Sequence, residues 1–265
     1  MTRMTRYLLA VGAVIVLSST GLAMTAEEIL ERVEEQGLLG LGAGDFQGEF
    51  SLTTYEPDEE PQEYRFRVWG REEEDGTVKT TILYAYPELI EGTVFLFHAF
   101  PEEDPRLWLM LPEVGDVIEL VGARAEGEFV AGIGITYEEL AHGFTYRNGY
   151  ESELLDEEEL DGDPCWKLQV KPLDLEDADW ASILLWVHQA NFVVMRADFE
   201  DEDGEIGRRI TAAELEEDEL GAVARLLVVE DLKEDVRAEI RIEQRSREKV
   251  AEEVFIPERL PELEL

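Results

Sequence analysis

A chain of 265 residues with 45% apolar side chains can form one large or two small domains around a real hydrophobic core. Its 63 acidic residues against 23 basic ones leave a formal charge of -40, an acidic shell that excludes nucleic acid and anionic membrane surfaces as partners because phosphate is repelled. We read this charge as adaptation to a salty medium, in which screening over a few ångströms suppresses self-repulsion.

The first 23 residues read as a cleaved secretory signal. Arg3 and Arg6 form a basic start, Leu8 to Leu17 is an apolar run too short to span a membrane, and Gly21-Leu22-Ala23 places small residues before the cut. The mature chain, 24-265, is then expected to be one exported domain. Cys165 is the single cysteine, so there is no internal disulfide and no lipidated cysteine start. Thr25 and Glu28 have capping-box spacing, and Ile29, Leu30 and Val33 make one apolar stripe on a helix ending near Gly37. The Gly-rich stretch from Gly37 to Gly48 lacks the order of a nucleotide-binding loop.

From Phe46 the hydrophobic period changes to two. Phe46, Phe50 and Leu52 alternate with polar residues, as do Tyr64, Phe66 and Val68 and then Val78, Ile82 and Tyr84, with acidic turns between them. Thr93 to Phe97 is apolar on both faces, which suits a strand lying between a helix and a lid. A hairpin joins Leu107-Leu111 to Val117-Leu120 across a turn at Pro112. The Gly-rich run Gly122 to Gly134 contains the apolar island Phe129-Val130-Ala131. It leads to Thr136 and Glu139, where capping-box spacing predicts a short helix.

Beyond Leu140 the alternation returns. Strands are predicted over Tyr150-Leu155 and Cys165-Leu173, with the turn Asp161-Gly162-Asp163-Pro164 leading into the second. A hairpin follows over Ser182-His188 and Phe192-Phe199, then strands over Ile206-Glu214, Ala222-Asp231 and Val236-Gln244, and a tail from Ile256-Pro257. Roughly ten or eleven strands without a second linker form one continuous sheet. Its Phe- and Tyr-rich face can serve as a packed core or line a cavity, and the parity is the same for both.

No catalytic, metal or cofactor site is expected. His98, His142 and His188 stand on separate segments without ligand spacing, and each is read as structural. No nucleophile elbow or calcium-loop register occurs, and with so many carboxylates no acid pair stands out.

Trp108-Leu109-x-Leu111-Pro112, Gly115-x-Val117, Phe129-Val130-Ala131-Gly132 and Ile135-Thr136-Tyr137-Glu138-Glu139-Leu140 together carry a resemblance to the outer-membrane lipoprotein-sorting, LolA-like family. The likeness extends upstream to Thr25-Ala26-Glu27-Glu28-Ile29-Leu30 and Glu91-Gly92-Thr93-Val94-Phe95-Leu96. Downstream it reaches Gly162-Asp163-Pro164-Cys165-Trp166-Lys167-Leu168 and Leu185-Trp186-Val187. The resemblance implies a mainly β, α+β protein: an incomplete, strongly curved antiparallel β-barrel with helices over its open mouth, holding acyl chains in the periplasm. One departure is Asp116-Val117-Ile118-Glu119, where similar proteins carry Arg or Lys, which weakens an anionic-headgroup role for that strand.

The expected function is a monomeric, non-enzymatic periplasmic carrier that takes acyl chains of a lipid or lipoprotein between membranes, working with an inner-membrane transporter or an outer-membrane receptor. Phe50, Phe66, Ile82, Tyr84, Phe95, Phe97, Leu109 and Leu111 would line the cavity, with Phe129, Val130 and Ile133 on a movable flap. The alternative is a periplasmic sensor or scaffold of the same fold that binds a partner protein and regulates envelope signalling. A carrier needs a cavity of several hundred Å3, whereas a scaffold can fill its sheet with side chains.

Overall fold

The computed structural model describes residues 24-37, 44-101, 103-121, 149-174, 178 and 180-264. The expected signal segment, the flap residues Phe129, Val130 and Ile133, and the helix predicted from Thr136 lie outside these residues.

Helix α1 spans Ala26–Gln36 and begins as its spacing predicts. The Glu28 amide donates to Thr25 Oγ1 at 3.2 Å, while the Thr25 amide donates to Glu28 Oε2 at 2.8 Å, so two amides left bare by the helix start are satisfied reciprocally. Gly37 ends the helix with φ 72°, a conformation open to glycine, and its N–H reaches back to the carbonyls of Val33 and Glu34.

Thirteen strands follow among the described residues, more than the ten or eleven expected. They are β1 (Phe46–Tyr55), β2 (Gln62–Glu72), β3 (Val78–Tyr86), β4 (Val94–Ala99), β5 (Arg106–Met110), β6 (Val117–Leu120) and β7 (Tyr150–Leu160). After these come β8 (Asp163–Pro172), β9 (Ser182–His188), β10 (Val194–Glu200), β11 (Ile206–Asp218), β12 (Gly221–Asp231) and β13 (Val236–Ser246). All pair antiparallel in one open, curled sheet of order β6-β5-β4-β3-β2-β1-β13-β12-β11-β10-β9-β8-β7.

The chain therefore makes two meanders. The first runs outward from β1 to β6; the second starts at the far edge with β7 and works back until β13 joins β1. Short turns set this local order. At β7–β8 the two-residue loop Asp161-Gly162 has φ of 55° and 98°, positive at both positions as the twist of a tight hairpin requires. The β1–β13 seam has no such local cause, since Phe50 meets Ile242 across almost the whole chain.

The sheet's two faces are covered differently. On the inner face, Ile29 and Leu30 of α1 join one large core with Phe50, Leu52, Phe66, Val68, Ile82 and Tyr84 from the first meander. Leu168, Val170, Ile183, Leu185, Ala197, Phe199 and Ile210 bring the second meander into that core.

On the outer face of β2 to β5, the opposite parity presents Trp69, Leu83, Val94, Leu96, Trp108 and Met110. They are covered by Val250, Val254, Phe255 and Leu260 of a C-terminal strap built as two 3-10 turns, Glu252–Phe255 and Pro257–Glu262. This explains the doubly apolar β4: Phe95 and Phe97 face the inner core while Val94 and Leu96 face the strap. A tail, where a lid was expected, covers its second side.

Candidate functional site: an aromatic wall on the inner face

Period-two alternation on four neighbouring strands brings aromatic rings into one row across the inner face, because directly paired residues share a face. Phe50 of β1 pairs with Phe66 of β2, Phe66 with Tyr84 of β3, and Ile82 with Phe95 of β4. The rings touch in succession. Phe50 stacks on Phe66 with centroids 5.7 Å apart, Phe66 meets Tyr84 at 5.8 Å, Tyr84 meets Phe95 at 6.1 Å, and Phe95 stacks on Phe97 at 6.3 Å. These separations lie within the range in which ring pairs attract beyond simple burial. Further along β1, a Cβ at Gly70 would stand 1.9 Å from the Phe46 ring, so the missing side chain is what lets that ring lie across β2.

Of the eight residues predicted for the wall, Phe50, Phe66, Ile82, Tyr84, Phe95 and Phe97 come together in the core shared with α1, each under a tenth exposed. Leu109 of β5 is half-buried and packs on the same cluster. Leu111 lies past the end of β5, where its carbonyl accepts the amides of Val114 and Gly115 at 3.0 and 2.9 Å, so it is part of a turn.

The residues expected to line the wall all belong to the first meander. Leu168, Val170, Ile183, Leu185, Val187, Ala197, Phe199 and Ile210 supply its other half, and their alternation was visible; what was hidden was that β13 closes onto β1 and turns both meanders toward one interior. The second meander also carries a buried cation. Arg208, 2% exposed, shares a face with Ile210 two residues on, and its guanidinium carbon lies 3.9 Å from the Phe199 ring centroid and 5.4 Å from that of Trp180.

The other polar groups stabilise the scaffold. Asp198, 1% exposed, is gripped by two guanidiniums: Arg196 Nε donates at 2.8 Å and Arg209 Nε and Nη2 at 2.7 and 3.0 Å. Burial pushes its carboxyl up, but the Arg196 and Arg209 bonds and charges together outweigh this and hold it below the usual range. At the far ends of β11 and β13, Arg245 donates to both oxygens of Asp218 and, with a backbone bond and Arg225, draws that carboxyl down to about 2. This pair borders a groove of about 470 Å3 lined by Asp218 to Leu220 and Arg245 to Glu248. The Cys165 thiol is buried and pushed up to about 11, chiefly by desolvation, so it stays a protonated, unreactive core group at neutral pH. Among the described residues no group of three or more His, Cys, Asp or Glu could hold a metal ion, and no helix is long and apolar enough to cross a membrane.

An open, curled antiparallel sheet with a helix on its apolar inner face is the LolA-like fold of outer-membrane lipoprotein-sorting proteins. The chain belongs to a family described as "uncharacterized protein"-like, whose model matches residues 76–262. Among solved structures it is similar to a DUF1329 family protein from Desulfovibrio piger, at 18% identity and a TM-score of 0.78 over 89% of this chain and 97% of that one. It is also similar to an outer membrane lipoprotein-sorting protein domain from Vibrio parahaemolyticus, at 19% identity and a TM-score of 0.76, over 89% and 98% of the two chains. A LolA superfamily protein from Nitrosomonas europaea matches at 21% identity and a TM-score of 0.67, over 88% and 98%. At these identities the likeness is one of fold. No curated protein sequence matches the chain.

Proposed function

We propose that this protein is a periplasmic carrier that shelters acyl chains of a lipid or lipoprotein against the inner face of its sheet and passes them between membranes, with a membrane transporter or receptor as the protein partner. The observation that carries this reading is the continuous row of rings from Phe50 to Phe97 inside an open sheet. The row offers an alkyl chain a wall of ring faces in which the Tyr84 hydroxyl is the one polar group. Each methylene moved from water onto it contributes about 0.8 kcal/mol, so a sixteen-carbon chain gains roughly ten before ordering costs. The fold shared with lipoprotein-sorting proteins supports the same reading.

A second reading, a periplasmic scaffold that binds a partner protein, is favoured by the packing of the wall. Its rings touch each other, share one core with α1 and are nearly inaccessible, so a carrier must open before loading, whereas a scaffold need not. A fluorescent long-chain fatty acid separates the two. A carrier shows saturable binding that Leu109→Glu, at the half-buried edge of the wall, weakens about tenfold or more while the fold is kept; a scaffold shows none.

A further inference from the structure

The C-terminal strap is held by an unusual set of contacts, because side chains of the sheet grip its backbone. Arg71 Nη2 donates to the Val250 carbonyl at 2.5 Å, and the Val250 amide donates to Asp45 Oδ2 at 2.8 Å. Arg71 also pairs with Asp45 and Glu252 and lies over the Phe255 ring at 5.1 Å. Further along, Thr81 Oγ1 donates to the Val254 carbonyl at 2.8 Å, and His98 Nε2 stands 3.1 Å from the Phe255 carbonyl. That carbonyl can only accept, so Nε2 carries the proton and donates.

His98 is the one contact in this set whose charge changes near neutral pH. Its surroundings oppose that charge. Its direct cross-strand neighbours are Lys79 on β3 and Arg106 on β5, so a protonated ring would be the middle of three cations in one row. The ring is half-buried, 4.8 Å from Trp108 and 6.3 Å from Phe100, both edge-on. The carboxylates nearby are engaged with other cations: Glu73 with Lys79 at 2.8 Å, Glu119 with Arg106 at 2.8 Å, and Glu252 of the strap with Arg71 at 2.5 Å and Lys79 at 3.6 Å.

We propose that His98 is an acid-sensitive latch: a proton taken up between Lys79 and Arg106 loosens the strap beyond Phe255 from the outer face, while the Arg71–Asp45 clasp on Val250 keeps the strap's start in place. Freed, the strap uncovers Trp108, Leu96 and Met110. The direction of the titration agrees, since desolvation, the largest effect, pushes the ring below its ordinary value and outweighs the Phe255 bond. A base so depressed binds its proton more readily once the strap has let go, so opening is favoured as pH falls below the ordinary histidine value.

The test is hydrogen–deuterium exchange of the strap amides Ile256 to Leu263 in the full chain at about pH 7.5 and about pH 5.5, above the ordinary carboxylate range, corrected for intrinsic exchange. The opening equilibrium should rise about tenfold per pH unit within the window in which the histidine titrates. His98→Gln, a neutral donor, should flatten that response. The double variant Lys79→Gln/Arg106→Gln, which relieves the charge row but keeps the imidazole, should reduce it. Strap protection that is unchanged by pH in the parent, or an acid response that survives in both variants, would overturn the latch.

Discussion

Asp198 shows most directly how a chain this acidic places its few basic residues. Two of its guanidiniums converge on one buried carboxylate, and their aliphatic stems cover neighbouring apolar surface; Arg196 also lies 4.7 Å over the Trp186 ring, which Lys167 covers at the same distance. Replacing Asp198 with Ala leaves two facing cations with their shared partner gone and should cost about 3 kcal/mol, the lower end for a broken buried pair because both guanidiniums keep some water. Chemical denaturation of Asp198→Ala checks this. The carboxyl is held below its ordinary value in the fold, so the stability it adds is complete above about pH 4 and is lost as pH falls through the folded value. The variant should therefore show a shallower acid limb. None of this was legible in the sequence, where 63 acids make every charge pairing possible and only the fold selects among them.

At the scale of elements, what could be read was local and what could not was remote. The Thr25–Glu28 capping box, the end of α1 at Gly37 and the strand alternation are written in residues a few positions apart; the first two stand where expected, and the strands fall on the expected stretches, although β7 runs on to Leu160 and β10 starts at Val194 instead of Phe192. The wall on β1 to β4 followed from the same alternation, although Leu111 overran the end of β5 by one residue. The strap is not legible locally because the side chains that grip it lie 157 to 205 residues upstream. A signal existed in the second apolar parity of Trp69, Leu83, Val94, Leu96, Trp108 and Met110, which requires a cover on the outer face. Phe255, 1% exposed, is the centre of that cover. Phe255→Ala should destabilise the protein by about 3–5 kcal/mol and raise protease sensitivity of the strap first. Thermal unfolding together with limited proteolysis reads both, and an unchanged melting temperature would mean that the strap is not part of the cooperative core.

For the whole molecule, charge and curvature set the behaviour. A formal charge of -40 repels itself at low ionic strength, and salt shortens the reach of that repulsion from about 30 Å at 0.01 M to about 3 Å at 1 M. The melting temperature should therefore rise steeply from low to molar salt; a flat profile would contradict the reading of the acidity as adaptation to a saline medium. Curvature gathers both meanders around one apolar interior, and carriage of acyl chains is the central claim made for that interior. The most direct measurement is organic extraction of protein purified at high salt, followed by lipid mass spectrometry. The carrier reading predicts an acyl-chain lipid at about one per protein, lost in Leu109→Glu. A folded protein that yields no lipid and stays empty when offered phospholipid or lipoprotein would contradict it.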